Sequence, residues 1–149
     1  MREQKKPKLD RSIQVAAEKR PTADSALTVA PLDYKPLWKF EHLDLGGDWG
    51  WSKADRACLE NVLEHLRSYE TMTWREIERK TTKHGSQSHP IETHRVCKEA
   101  RDRLCAIKLD DRPELYSLRI GGRPRVWGYR KGRVLHIVWW DPTHSVYPV

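Results

Sequence analysis

The sequence has few of the residues that several common chemistries need. Its 149 residues include three cysteines, Cys58, Cys97 and Cys105, and no CxxC pair. An odd number of cysteines without that spacing argues against a disulfide framework and favours a reducing compartment, so we expect a cytoplasmic protein. The sequence also has no Walker loop, GxGxxG turn or GxSxG elbow, the motifs of nucleotide binding and serine hydrolysis. We therefore predict no cofactor.

Neither a metal site nor a membrane segment is indicated. The spacing of His84, His89, His94 and Cys97 matches no standard zinc motif. No apolar run approaches the ~20 residues that span a bilayer. The charged start, MREQKKPKLDRS, has no apolar stretch behind it and does not resemble a signal peptide. We predict no metal site and no membrane partner.

The chain is rich in positive charge and in tryptophan. Its formal net charge is +7, and seven tryptophans accompany a single phenylalanine. Residues 115–149 carry six cationic side chains against one carboxylate, Asp141, so most of the net charge lies in this segment. Basic proteins favour acidic partners, and tryptophan both fills cores and stacks on bases. Nucleic acid is the first partner to consider.

Composition divides the chain into three parts. Residues 1–33 are polar and mixed in charge, which predicts a flexible basic arm. Residues 34–51 hold aromatic side chains among glycines, and predict an irregular lead-in to the core. Residues 52–149 carry the regular patterns of one folded domain.

Three helices are predicted ahead of the strands. The first begins at a Ser52 cap and ends near Tyr69. A capping box of Thr73 and Glu76 opens a short second helix that buries Trp74 and Ile77. The third has Pro90 in its first turn and ends near Lys108, with Ser88 or His89 as its cap.

Three strands separated by glycine turns are predicted in the C-terminal part of the sequence. The three predicted strands are Leu115–Ile120, Arg125–Arg130 and Arg133–Trp140. Glycines at Gly121, Gly122 and Gly132 mark the turns of an antiparallel meander. The expected fold class is α+β, with the N-terminal helices packed on one face of a small C-terminal antiparallel sheet.

Strand parity predicts which side chains share a face. A two-residue turn at Lys131-Gly132 pairs Trp127 with His136. The helix-facing side then carries Val126, Leu135, Ile137 and Trp139. The other side, the basic–aromatic face, carries Arg125, Trp127, Tyr129, His136 and Trp140. A three-residue loop at Gly121–Arg123 pairs Leu118 with Val126 and adds Arg119 to the basic–aromatic face.

Arginines beside aromatic rings suit a nucleic-acid strand, because guanidinium groups bind phosphate and rings stack on bases. The predicted nucleic-acid contacts are Trp127, Tyr129, His136, Arg123, Arg130, Lys131 and Arg133. The alternative is that the arginines form a solvated face and the aromatic side chains form core. Because the arginines and the aromatic rings share one face, we favour nucleic-acid binding.

The stretch LYSLRIGGRPRVWGYRKGRVLHIVWWDPTHSVYP resembles the C-terminal half of the RelE/ParE superfamily of toxin–antitoxin toxins. The resemblance covers about residues 52–149. It implies a RelE-like fold, RNA as substrate, including ribosome-bound mRNA, and a cognate antitoxin protein as partner. Arg125 and Arg119 match the family's basic strand positions, and His144 and Tyr147 match the C-terminal positions that supply acid/base groups.

The resemblance implies a metal-independent endoribonuclease that cleaves mRNA by attack of the 2′-hydroxyl. His144 is the predicted proton-transfer group, since histidine titrates near neutral pH, and the predicted catalytic set is Arg119, Arg125, His144 and Tyr147. Two alternatives remain open: a non-catalytic nucleic-acid-binding module on the same fold, and a toxin acting on another target such as gyrase.

Three smaller features have competing interpretations. Asp141 before Pro142 is either a turn former or a residue that orients His144. Residues 86–89 are either a loop with a helix cap or a contact with substrate or ribosome. His144 itself is either a proton-transfer group or an exposed turn residue.

Overall fold

A five-stranded mixed sheet forms the centre of the protein. The computed structural model describes residues 31–79, 81–82, 85–86 and 88–148, so most of the predicted arm lies outside the described residues. The strands are β1 (Leu37–Lys39), β2 (Thr81–Thr82), β3 (Gly85–Ser86), β4 (His89–Glu92), β5 (Glu114–Arg119), β6 (Arg125–Lys131) and β7 (Val134–Asp141). The helices are α1 (Arg56–Tyr69), α2 (Trp74–Arg79) and α3 (Lys98–Ala106). The fold class is therefore α+β, as predicted.

The strand order in the sheet is β1-β7-β6-β5-β4, and β2 pairs only with β3. The predicted meander forms its centre: β5, β6 and β7 are antiparallel neighbours. The first hairpin has the predicted three-residue loop, with Leu118 opposite Val126 and Arg119 opposite Arg125. The second turn differs from the prediction, because Lys131 pairs with Val134 across the turn.

An extra residue in β7 changes the predicted register. Trp127 pairs with Trp139, and not with His136 as predicted. The shifted turn moves the pairing by two residues along β7, and the ladder shift next to Trp127, which leaves Val138 outside the pairing, adds one more. Such a β-bulge turns every following side chain to the opposite face. Trp139 therefore lies on the same face as Trp127, and Trp140 lies on the other face.

Two edge strands extend the meander, and neither was predicted. β1 pairs in parallel with β7 and makes the sheet mixed. β4 pairs with β5, so the prediction of a helix starting at Pro90 is wrong. Proline is compatible with this position because an edge strand does not need every backbone N–H for pairing. The third helix begins only at Lys98, after a 3₁₀ turn at Thr93–Arg95.

The first two helices follow their capping signals. Asp55 caps α1 by accepting a hydrogen bond from the Cys58 amide at 2.8 Å, so the helix begins later than the predicted Ser52 cap. The predicted capping box forms: Thr73 Oγ1 accepts from the Glu76 amide at 3.2 Å and contacts the Glu76 carboxylate. Trp74 is fully buried, as predicted.

Side chains cover both faces of the sheet. Helices α1 and α2 share one core with the side chains Leu118, Val126, Leu135, Ile137 and Trp140. On the opposite face, α3, Trp49 and Val146 share a second core with Leu115, Trp127, Tyr129 and Trp139. The expectation of helices on one face only is therefore wrong. Side chains of α3, together with Trp49 and Val146, therefore cover most of the basic–aromatic face.

The lead-in contributes both strand β1 and a buried ion pair. Asp44, 5% exposed, accepts two hydrogen bonds from Arg103 of α3, at 2.8 and 2.7 Å, and one from Trp139 Nε1 at 2.9 Å. Two residues of the predicted arm also take part in the fold, because Leu32 packs on the core and Asp33 pairs with Arg75. Among the described residues, no helix has the length and apolar content needed to cross a membrane.

Candidate functional site

The C-terminal tail, residues 142–148, folds back over the face that carries Trp127. The carboxylate of Asp141 directs this turn. Its Oδ1 accepts from the Ser145 amide at 2.9 Å and from Ser145 Oγ at 3.2 Å. Its Oδ2 accepts from the Val146 amide at 3.0 Å and from Trp127 Nε1 at 3.1 Å. Asp141 therefore forms a turn here, in agreement with its interpretation as a turn former.

Contacts on either side hold the returned tail against the body of the protein. Trp49 Nε1 donates to Ser145 Oγ at 2.9 Å. The Val146 carbonyl accepts from the Cys97 amide at 2.8 Å, and the Val146 side chain is fully buried. These contacts make the tail part of the second core, not a loose end.

His144 lies at the top of the tail turn. Its backbone has φ of 60°, the left-handed region that residues with a Cβ rarely adopt. Its side chain is half-buried. A histidine in this conformation needs the surrounding contacts to hold it, and Ser145 and Asp141 provide them.

Two arginines lie side by side where β5 and β6 meet. Arg119 and Arg125 are cross-strand partners. Arg125 is 7% exposed, and its Nη1 donates to the carbonyls of Gly122, Arg123 and Pro124 at 2.8 to 3.0 Å. Burial, and then the charge of Arg119, lower the pKa of Arg125, while the nearby Asp141 carboxylate opposes the change.

His89 lies at the start of the edge strand β4. Desolvation lowers the pKa of His89 most, followed by the charge of Arg125; Glu78 opposes the change, while His144 and Arg95 add to it. The strand register gives the position of the ring. His89 lies opposite Ser117, two residues before Arg119, so His89 is on the same face of the sheet as Arg119 and its partner Arg125. His89 remains exposed, so a ligand can reach it.

Tyr147, near the end of the tail, contacts Arg95. Its hydroxyl accepts a hydrogen bond from Arg95 Nη2 at 2.7 Å, and the Arg95 guanidinium lies 5.5 Å from the centre of its ring. Arg95 belongs to the 3₁₀ turn that follows β4. We call His89, Arg95, Arg119, Arg125, His144 and Tyr147 the tail site. This definition includes the predicted catalytic set, whose role stays a prediction.

Sequence reasoning missed two members of the tail site. The sequence offers His89 as a helix cap, a contact residue or one histidine of a spacing that matches no zinc motif, because Pro90 indicates a helix start. Arg95 falls inside that predicted helix. A sequence signal for both was the Ser-His-Pro-Ile stretch, which can also be read as a short strand.

The predicted stacking platform does not form. Trp127 is fully buried, Tyr129 is 5% exposed and His136 is 8% exposed. Arg112 lies over the Tyr129 ring at 4.2 Å, and Tyr129 stacks on His136 with ring centres 4.4 Å apart. The prediction that these rings face solvent is wrong, because the lead-in, α3 and the tail cover them.

The predicted basic contacts divide between the two ends of the sheet. Arg123 lies in the hairpin loop beside Arg125. Arg130 faces the other side of the sheet, where it pairs with Glu78 at 3.3 Å. Lys131 and Arg133 lie at the opposite end of β6, roughly 20 Å from Arg125 at the usual rise along a strand. One nucleotide cannot touch all of them.

Metal binding is not favoured in the tail site. Within the described ranges, no group of three or more His, Cys, Asp or Glu side chains is arranged to hold a metal ion. His84, one of the residues considered from the sequence, lies outside those ranges. The tail site instead offers two imidazoles, three guanidinium groups and a phenol, a set that suits an anion.

Comparison with known proteins adds no assignment. A scan against family models matches nothing, and neither the search of curated proteins nor the search of solved structures finds a match. The likeness to RelE/ParE toxins therefore stays a prediction, and the chemistry of the tail site carries the functional argument.

Proposed function

We propose that the protein is an RNA-binding endoribonuclease of the RelE-like kind and that the tail site is its active site. One observation carries the proposal: the strand register places His89, Arg119 and Arg125 on one face of the sheet. Asp141, the partner of Arg125, binds the two residues that follow His144, so the tail turn lies at the same end of the sheet. Arg119 beside Arg125 adds further positive charge.

The residues suit cleavage through the 2′-hydroxyl. A base removes the 2′-hydroxyl proton, the 2′-oxygen bonds to phosphorus, and the bond from phosphorus to the 5′-oxygen breaks. His89 is suited to be the base, because its lowered pKa keeps it neutral near pH 7. His144 is suited to protonate the leaving 5′-oxygen. The products are a 2′,3′-cyclic phosphate and a 5′-hydroxyl.

The arginines are suited to stabilise the transition state. Charge accumulates on the non-bridging phosphate oxygens during the attack, and fixed cations that face those oxygens lower the barrier. The three carbonyls bound to Arg125 Nη1 hold this guanidinium in place before substrate arrives. Arg95 and Tyr147, which bind each other, are suited to contact a neighbouring phosphate or base.

The wider assignment rests on the RelE/ParE resemblance alone. It includes ribosome-bound mRNA as a substrate and a cognate antitoxin as a protein partner. The proposed cytoplasmic location rests instead on the cysteine pattern. Two features of the fold differ from the predicted packing of helices on one face of an antiparallel sheet. Strand β1 pairs in parallel with β7, and α3 packs on the second face. The net charge of +7 supports an acidic partner of any of these kinds.

The test is cleavage of a long single-stranded RNA by the purified protein, with mapping of the new 5′ ends. We expect His144→Ala and His89→Ala each to slow cleavage by about 10²–10⁴-fold with little change in RNA binding. His42→Ala is the matched control, because His42 lies beside His136, away from the tail site. Wild-type protein that binds RNA but never cleaves it would replace the nuclease proposal with a binding module.

A further inference from the structure

We propose that Asp141 is a positioning residue that sets the place of His144 in the tail site. The inference rests on the proposed function, since it assigns a purpose to the position of His144. Asp141 is fully buried, and sequence alone could not separate this role from that of an ordinary turn former.

The carboxylate of Asp141 uses its full hydrogen-bonding capacity inside the protein. It accepts four hydrogen bonds, two at each oxygen, from Trp127, Ser145 and Val146. A buried carboxylate without partners would be strongly unfavourable, but here each oxygen has two donors. Three of the four bonds come from the two residues that directly follow His144.

This arrangement holds both ends of a short turn with His144 inside it. Asp141 ends β7, and its side chain binds Ser145, so the turn closes over four residues. The Ser145 hydroxyl is also fixed by Trp49. Only His144 within this turn takes the left-handed conformation, at φ of 60°. Such a backbone persists when its surroundings hold it, and it recurs at functional sites.

Asp141 also connects His144 with the phosphate-binding side of the tail site. Asp141 and Arg125 are cross-strand partners at the ends of β7 and β6. The charge of the Asp141 carboxylate acts on Arg125 and favours its cationic form. One buried carboxylate therefore fixes the turn that carries the histidine and stabilises the neighbouring arginine.

The protein contains a matched control for this residue. Asp44 is also buried and also accepts from a tryptophan indole, Trp139 Nε1, at 2.9 Å. It binds Arg103 and the lead-in, and makes no hydrogen bond to the tail among the described residues. Asp44→Asn thus removes a comparable buried charge without releasing His144.

The experiment compares Asp141→Asn with Asp44→Asn in RNA cleavage, RNA binding and amide hydrogen exchange. Asparagine keeps the shape of the side chain but offers only one acceptor oxygen. We expect Asp141→Asn to lower kcat by about 100-fold, the effect of a small misplacement of a reacting group, without raising KM. RNA binding should equal or exceed that of wild type, because a negative charge beside Arg125 is lost. Hydrogen exchange should speed up at Ser145 and Val146.

Asp44→Asn should keep kcat and the exchange rates of the tail amides close to wild type. Equal loss of kcat in both variants, or a normal kcat in Asp141→Asn, would overturn the proposal. If Asp141→Asn fails to fold, Ser145→Ala is the second variant, because it removes one bond to Asp141 and the bond from Trp49. It should lower kcat by about tenfold, and an unchanged kcat would overturn the proposal.

A wild-type protein without cleavage activity would end the nuclease proposal, but not the test of Asp141. In that case the NMR signals of the His144 ring and the exchange rates of the tail amides decide. A shifted His144 signal and faster tail exchange in Asp141→Asn alone would support positioning by Asp141. Unchanged signals and rates would contradict it.

Discussion

Trp127 and Trp139 lie opposite each other on β6 and β7, and their indole N–H groups donate to two different buried carboxylates. Trp127 binds Asp141, which directs the tail, while Trp139 binds Asp44 in the lead-in. The pair thus anchors two distant segments on one face of the sheet. This explains why the tryptophans serve as structural anchors and do not form an exposed stacking platform.

Loss of the Trp127 anchor should destabilise the protein. We expect Trp127→Phe to lower the free energy of unfolding by about 1–3 kcal/mol, because the buried Asp141 oxygen loses a donor. Trp127→Ala should cost about 3–5 kcal/mol, since it also opens a cavity. Urea denaturation followed by circular dichroism measures both. Wild-type stability of Trp127→Ala would mean that the side chain is not buried in solution.

The half-buried Arg119 and the exposed Arg123 of the first hairpin should contribute to RNA binding through phosphate contacts. Arg119→Gln and Arg123→Gln should each weaken binding for all RNA sequences and reduce the slope of log affinity against log salt by about 1. The control is Arg56→Gln, because that side chain is 93% exposed on α1, across the sheet from the tail site. Fluorescence anisotropy at several salt concentrations gives the slopes. An equal change in the Arg56 variant would refute a local binding site.

The pH dependence of cleavage should report the state of His89. A base works in its neutral form, so kcat/KM should rise with pH through the His89 pKa, which lies below the ordinary 6.5. His89→Ala should remove this acidic limb from the profile as well as slow the reaction. Initial rates over a series of buffers test this. Survival of the same limb in His89→Ala would assign it to another group.

Buried His136 should make the fold sensitive to acid. Burial, and then the charges of Lys39 and His42, lower its pKa from 6.5, while Glu41 opposes the change. The folded state therefore prefers the neutral ring, and this contribution is fully present above pH 6.5 and is lost as the pH falls. Its Nδ1 is buried without a hydrogen-bond partner among the described residues.

We expect His136→Phe to reduce the loss of stability between about pH 8 and pH 5, while keeping the stacking on Tyr129. Urea midpoints at several pH values measure this effect. His94→Phe is the control, since the His94 side chain is 73% exposed. A pH dependence as steep as that of wild type in the His136 variant would contradict the assignment.

Much of the sheet could be predicted from local signals. Glycine turns at Gly121, Gly122 and Gly132 indicated the meander of β5, β6 and β7, and the three-residue loop followed from the need to keep Leu118 and Val126 on one face. The capping box at Thr73 also formed as predicted, because the bonds that make it lie within four residues. The return of the tail after Asp141 is likewise a local consequence of its turn.

The sequence by itself thus determined the elements whose bonds are local, while the tertiary structure decided which faces were covered. A single extra residue, Val138, exchanged the faces of Trp139 and Trp140, and periodicity does not reveal one added residue. β4 formed as a strand because β5 offered it an edge to pair with. His89 entered the tail site through that pairing. Burial of Trp127 likewise depends on segments more than 70 residues before it and on the tail after it.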